Sequence, residues 1–196
     1  MHLTKLTPDQ YKRMPWKNGG GMTTELLAKS PPDGNGFLWR ISIADVAMSG
    51  PFSDFSGYRR TIMLLEGNGF ILKCTDLAGN PKGGKRLDRA YEPYIFDGAW
   101  KTDCSLIDGP IKDFNLMVAP DRVTGGLEVH ALRSGDALTI TVPRTAVAHV
   151  LKGAVRGDAT VIAAGGTLRI DAARPDLLRL IATEDAVIAV AALTER

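Results

Sequence analysis

Thr61-Ile62-Met63-Leu64-Leu65-Glu66-Gly67-Asn68-Gly69-Phe70-Ile71-Leu72-Lys73-Cys74 reads as two apolar runs on either side of Glu66-Gly67-Asn68. Successive side chains of a strand point to opposite faces, and a short Gly-containing turn between two such runs is a hairpin signal. The second half of the chain carries a weak echo. Leu64-Leu65-Glu66-Gly67 resembles Val150-Leu151-Lys152-Gly153, each a strand ending in a Gly turn and followed by a second strand. Two similar β units in one chain suggest a tandem barrel.

Outward from the hairpin the same period of two recurs. Phe37, Trp39, Ile41 and Ile43 alternate with Leu38, Arg40, Ser42 and Ala44. Further strands are expected over residues 113–118, 127–132, 138–142, 147–155, 159–163, 167–170, 177–182 and 187–193. The 21 glycines and 11 prolines fall mostly between these runs, as turn residues should. Helix is expected only as a short turn near Pro8 to Lys12. The excursion from Thr75 to Pro93 carries Lys82, Lys85, Arg86 and Arg89 and reads as a solvated loop. Many short strands with frequent turns make an all-β sandwich or barrel.

A chain of 196 residues suffices for one large β domain or two small ones. A net charge of +2 gives no nucleic-acid footprint, and no stretch interleaves basic with aromatic residues. The first residues lack the apolar core of a secretory signal. The longest apolar run, Ala186 to Leu193, is too short to cross a bilayer. Cys74 and Cys104 read as two reduced, half-buried thiols, so a cytoplasmic protein is expected, and nothing suggests zinc.

Pro15-Trp16-Lys17-Asn18-Gly19-Gly20-Gly21-Met22-Thr23-Thr24-Glu25 has a different character. Three glycines let the backbone take positive φ and approach something closely. Around them stand an indole, an ammonium, an amide, two hydroxyls and a carboxylate. Two readings stay open: a grip on a small molecule, or a Gly-rich loop closing a barrel mouth with Trp16 as a plug. It is no phosphate loop, since no Gly-Lys-Ser/Thr follows.

Taken together with Trp39-Arg40-Ile41-Ser42-Ile43-Ala44, Gly50-Pro51-Phe52-Ser53-Asp54-Phe55-Ser56-Gly57 and Asp113-Phe114-Asn115-Leu116-Met117, these stretches resemble the HutD/Ves family of small bicupins. The match is specific over residues 14 to 118 and rests on the β pattern beyond. The resemblance implies an all-β bicupin with little helix. Its two cupin barrels would be residues 1–118 and 119–196, with strands exchanged between them. It also implies an auxiliary or regulatory role in histidine utilisation, sensing an intermediate such as formylglutamate or urocanate. A homodimer is compatible with exposed edge strands.

Most catalytic cupins hold a metal with a His-x-His pair, a Glu and a later His. Counting back from Gly67, those slots fall near Ser53, Phe55 and Arg60; from Gly153, near Thr139, Thr141 and Ala146. The later positions fall near Trp100 and Leu168. His2, His130 and His149 form no His-x-His pair, so no cofactor and no metal are expected.

Arg60 is the sharpest residue. A slot that usually carries a carboxylate carries a guanidinium, and a buried charge needs a partner. The expected ligand is a small carboxylate metabolite held by Arg40 and Arg60, with hydrogen bonds from Asn18, Thr23, Ser42 and Asn115 and with Trp16, Glu25 and Asp113 at the site. The competing reading is an internal clamp, Arg to Glu25 or Asp113, without a ligand. Asp113 and Asn115 share a strand face, either aimed into the cavity or closing a β-bulge. His149 reads as a hydrogen-bonded core histidine, and Ser53 and Ser56 lack a base. Three functions remain: a metal-independent binder of an acidic metabolite, an enzyme with Glu25 or Asp113 as proton carrier, or an interaction module with a vestigial pocket. The enzyme question leans towards no catalysis.

Overall fold

Gly67 and Gly153 sit at matching corners of two similar β units. The computed structural model describes residues 1–17 and 19–196. Its contacts divide the chain into Lys12–Arg122 and a second unit made of Met1–Tyr11 with Val123–Arg196. The division therefore does not fall at residue 118: the first eleven residues pack with the C-terminal part.

In the unit Lys12–Arg122, one sheet runs β2 (Lys12–Pro15), β3 (Gly21–Lys29), β4 (Trp39–Val46), β11 (Ile111–Val118), β6 (Arg59–Glu66) and β9 (Tyr94–Asp97). The other runs β5 (Gly50–Pro51), β10 (Lys101–Leu106), β7 (Phe70–Thr75) and β8 (Pro81–Leu87). Ile62, Leu64, Phe70, Leu72, Phe96 and Cys104 pack into one apolar cluster of this unit.

The second unit repeats the plan. One sheet runs β1 (His2–Leu6), β17 (Thr167–Asp171), β14 (Thr145–Lys152), β19 (Ala186–Glu195) and β12 (Val123–Leu132). The other runs β13 (Ala137–Val142), β18 (Asp176–Ala182), β15 (Ala154–Gly157) and β16 (Thr160–Ala163). The order β4-β11-β6-β9 thus becomes β12-β19-β14-β17, and β5-β10-β7-β8 becomes β13-β18-β15-β16. This is a duplicated all-β unit.

The echo in the sequence marks the same irregularity twice. Opposite β11, the register passes from Leu64 to Glu66 and skips Leu65. Opposite β19, it passes from Val150 to Lys152 and skips Leu151. Each bulge bends its strand just before the glycine of the turn that follows it. Gly67 has φ +98° and Gly153 has φ +72°, a region that residues with a Cβ disfavour.

Two expectations need correction. The stretch from Thr75 to Pro93 is not one loop, because Pro81–Leu87 is an edge strand on β7. All but Leu87 of its side chains are exposed, so it never shows the apolar alternation that announces a half-buried strand. The turn near Pro8 is confined to a 3-10 turn, Pro8–Gln10, and Lys12 already opens β2.

Candidate functional site

The unit Lys12–Arg122 encloses a cavity of about 730 Å³, walled by β2, β3, β4, β6, β11 and the segment that follows β5. Of the residues singled out in the sequence, Trp16, Thr23, Arg40, Ser42, Arg60, Asp113 and Asn115 line it. Glu25 is not among the lining residues but accepts a hydrogen bond from Arg40, and Asn18 lies outside the described residues.

Alternation along β6 puts Arg60 on the face it shares with the core residues Ile62 and Leu64. It is 5% exposed. Its Nη2 donates to Asn115 Oδ1 at 2.9 Å, while its Nε has no hydrogen-bond partner among the described residues. No described carboxylate forms an ion pair with it, in contrast to Arg40. Three rings surround it instead: its guanidinium carbon lies 5.0, 5.2 and 4.9 Å from the centroids of Phe52, Phe55 and Phe96. Ring faces attract a cation and offset part of the cost of removing it from water. Burial still pulls the guanidinium down to about 10, with Asp113 opposing, so it stays charged at neutral pH.

The rings are held in place by backbone. Phe52 N donates to Thr102 O at 2.8 Å and Phe55 N to Gly98 O at 3.1 Å. Gly98 can lie there because a Cβ would meet Tyr58 O at 2.7 Å. Phe55 also packs edge-on against Tyr58, with ring centroids 6.4 Å apart.

Asp113 and Asn115 alternate on β11 and face Arg60 across the β11–β6 ladder, which pairs Asn115 with Ile62 and Asp113 with Leu64. Both sequence readings of this pair hold, since they line the cavity and the ladder also shifts register at Lys112/Asp113. Asp113 is 1% exposed. Asn115 Nδ2 donates a very short hydrogen bond to Asp113 Oδ1. Desolvation pushes the Asp113 carboxyl up to about 7, against the pull of Arg60 and the Asn115 hydrogen bond.

Arg40 has a different fate. Its Nε donates to Glu25 Oε2 at 2.8 Å, so the clamp reading holds for this guanidinium. Trp16 Nε1 donates to Thr23 Oγ1 at 2.8 Å. Gly21 makes room for the indole, because a Cβ there would lie 3.0 Å from the Trp16 ring. Trp16 is thus both a plug against the core and a cavity wall.

Sequence reasoning missed Met14, Met117 and the aromatic ring system. Phe52 and Phe55 lie outside any strand, where period-two reading carries no information, and Phe96 falls within the stretch between the expected strands. A second, more open concavity of about 520 Å³ is lined by Gly67 and Lys112. Its ammonium is held by Glu66 at 3.1 Å and Asp45 at 4.0 Å.

The cupin metal slots do not fit a cation. Ser53 and Phe55 line the cavity beside the Arg60 guanidinium, and Ala146 is a core residue. A hydroxyl, a phenyl ring and a positive charge make no donor set for a transition metal. Among the described residues, no group of three or more His, Cys, Asp or Glu side chains comes together.

The duplicate unit has no such polar set at the matching positions. Aligning the two bulges matches Arg60 with Ala146, Asp113 with Ile188 and Asn115 with Val190. All three belong to an apolar cluster of buried residues. His149, 2% exposed, lies on the other face of β14, with Nδ1 2.8 Å from Thr167 Oγ1.

Residues 8–192 match the HutD family. The chain belongs to the HutD family. It is 40% identical over 126 residues to an uncharacterised 21.2 kDa protein in the hutC 3′ region of Pseudomonas putida, covering 64% of this chain and 63% of that one. It is 31% identical to protein Ves of Citrobacter koseri, covering 73% of this chain and 71% of the relative. The solved HutD from Pseudomonas fluorescens SBW25 superposes with a TM-score of 0.84 at 29% identity, covering all of both chains. The pirin YhhW of Escherichia coli shares the fold with a TM-score of 0.71 at 12% identity, covering 97% of each chain. The fold of this HutD-family chain is therefore that of the cupins, and its family is linked to the histidine-utilisation region. Among the described residues, no helix is long and apolar enough to cross a membrane.

Proposed function

We propose that this HutD-family protein binds a small carboxylate metabolite in the cavity of the unit Lys12–Arg122, without a metal. Its role is auxiliary or regulatory in histidine utilisation, in the cytoplasm. The observation that carries the reading is Arg60: a guanidinium lining a cavity, 5% exposed, with an unpartnered Nε and no ion pair among the described residues. A buried cation of this kind is costly unless an anion completes it, and a planar guanidinium matches a carboxylate with parallel hydrogen bonds. The apolar walls from Met14, Phe52 and Met117 exclude water and strengthen such a contact.

Calorimetric titration with formylglutamate, urocanate, histidine and formate tests this. Formate, the smallest carboxylate, is included because the Pseudomonas fluorescens structure is of a formate condition. Saturable binding of at least one acid, weakened at least about tenfold in Arg60→Met, is expected; absence of heat with all four sinks the proposal.

One observation favours a second reading. Asp113 is wholly buried, lines the cavity and has a carboxyl near 7, the profile of a general acid or base. Glu25, already bound to Arg40, fits that role less well. Product formation from a bound acid, lost in Asp113→Asn, would establish it.

A further inference from the structure

The Arg60–Asn115–Asp113 chain has a direction fixed by chemistry. A guanidinium can only donate, so the Asn115 side must present its carbonyl oxygen to Arg60. The amide NH2 then faces Asp113 and donates to Oδ1. Asp113 Oδ1 is thereby an acceptor, and Oδ2 is the oxygen left to carry a proton.

That arrangement poses a problem for any anionic ligand. A carboxylate entering beside Arg60 would meet a second, fully buried carboxylate lining the same cavity. One guanidinium cannot satisfy both, because Arg40 is already neutralised by Glu25. Two carboxylates in one dry site share a proton, as their mutual repulsion raises the affinity of one of them for it. We propose that Asp113 is a ligand-recognition residue that acts as a neutral acid, its Oδ2–H donating to the bound carboxylate while Arg60 donates to the same group, so that ligand binding takes up one proton from solvent. This rests on the carboxylate-binding reading of the cavity and specifies how that site discriminates. The proton balance is simple: one H⁺ leaves bulk water and resides on Asp113, with no covalent bond to the ligand.

The charged and titratable groups around Asp113 come from every neighbouring strand. Arg60 faces it from β6, Asp45 and Arg40 lie on β4, Cys104 on β10, Cys74 on β7, and Lys112 is adjacent on β11. Burial and Asp113 hold the Cys104 thiol up at about 12, and Arg60 titrates near 10. Neither changes charge between pH 6 and pH 8, whereas Asp113, near 7, does.

The test is calorimetry of the full-length protein with formylglutamate and formate at pH 6 to 8.5, each pH in two buffers of different ionisation enthalpy. Both probes keep their own charge over that range. The expected result is affinity that falls about tenfold per pH unit above pH 7, with proton uptake approaching one. Asp113→Asn, which keeps a donor and cannot ionise, should bind with a flat pH profile and at pH 8.5 more tightly than wild type. A variant-free arm uses infrared difference spectroscopy: binding at pH 8 should add the carbonyl band of a protonated carboxyl. Binding that is independent of pH and buffer in wild type overturns this inference and leaves the binding function standing. Persistence of the pH slope in a folded Asp113→Asn assigns the proton elsewhere and also overturns it. If none of formylglutamate, formate, urocanate and histidine binds at any pH, the binding function itself fails and this inference with it.

Discussion

Arg40 Nε donates to Glu25 Oε2 at 2.8 Å, and this bond separates the two guanidinium groups of the cavity into different classes. Arg40 spends its charge inside the protein, with 15% of its side chain exposed and 26% of that of Glu25. Arg60 lines the cavity with no ion pair among the described residues. Ligand and clamp were rival readings of both arginines; Arg40 is clamped by Glu25, and the ligand role of Arg60 is the proposal made above.

Arg60→Met should therefore separate binding from stability. The long apolar side chain fills a similar volume among Phe52, Phe55 and Phe96, and it removes a buried charge whose Nε is unsatisfied. Replacing such a group by packed hydrocarbon is often neutral or stabilising. Against that gain stands buried Asn115 Oδ1, which loses its donor at a cost of about 1–3 kcal/mol. The two effects oppose each other, so the expected outcome is a stability change within about 2 kcal/mol with carboxylate binding weakened at least about tenfold, as loss of a charge-assisted hydrogen bond costs about 1.5–3 kcal/mol. A fall in stability of several kcal/mol would instead make Arg60 a structural keystone.

Glu25→Gln should behave the other way. The pair is partly exposed, so its loss is worth only about 0.5–1 kcal/mol of stability. Freed Arg40 would add a second unpaired cation to the cavity wall. Carboxylate affinity should rise or hold, and denaturant titration alongside calorimetry reads both effects. A loss of binding would show that Glu25 itself touches the ligand.

What the sequence could and could not reveal follows from which signals are local. The Thr61–Cys74 hairpin and the Leu64/Val150 echo were legible because alternation and a turn glycine are visible in one window. The echo even marks the skipped Leu65 and Leu151, though a bulge is defined only by its partner strand. Arg60, Asp113 and Asn115 were found because they place charge and amide on faces that alternation otherwise makes apolar. The Arg40–Glu25 bond was not decidable in advance. The β3–β4 ladder pairs Glu25 with Ser42 and shifts register before Leu27, so which side chain reaches Arg40 depends on that bulge. The Pro81–Leu87 strand and the Phe52/Phe55/Phe96 box stayed hidden for related reasons: one is exposed on an edge, the other is assembled from a loop and a strand far apart in sequence.

Gly67→Ala should be disproportionately costly. The residue has φ +98°, and an added Cβ would lie 2.6 Å from Pro110 O and 2.9 Å from Ile111 Cγ2. Backbone strain alone costs about 1–2 kcal/mol, and the close backbone oxygen adds to it. A loss of at least about 2 kcal/mol in chemical denaturation is expected. Gly109→Ala, at φ +74° with nothing within 4 Å of the new Cβ, should cost only the strain. Equal effects at the two sites would discount the close approach at the corner.

Opposite pH dependences are built into the two units. Burial holds His149 down at about 4 from its ordinary 6.5, so below 6.5 the unfolded chain binds a proton that the folded chain refuses. Stability from neutral His149 is complete above pH 6.5 and is lost as pH falls towards 4, by about 3 kcal/mol in total. Asp113 has the reverse sign. Its carboxyl, raised from 3.8 to about 7, keeps its proton in the folded state after the unfolded chain has released it. Stability is therefore lost as pH rises from 3.8 to 7. Chemical denaturation of wild type, His149→Asn and Asp113→Asn from pH 4 to 8 reads each contribution as a difference, so that titrations common to all three cancel. Relative to wild type, Asp113→Asn should gain stability progressively as pH rises from 4 to 7. His149→Asn should compare best with wild type near pH 4 and worst above 6.5. Parallel profiles for all three proteins would mean that neither buried group shifts its proton affinity on folding.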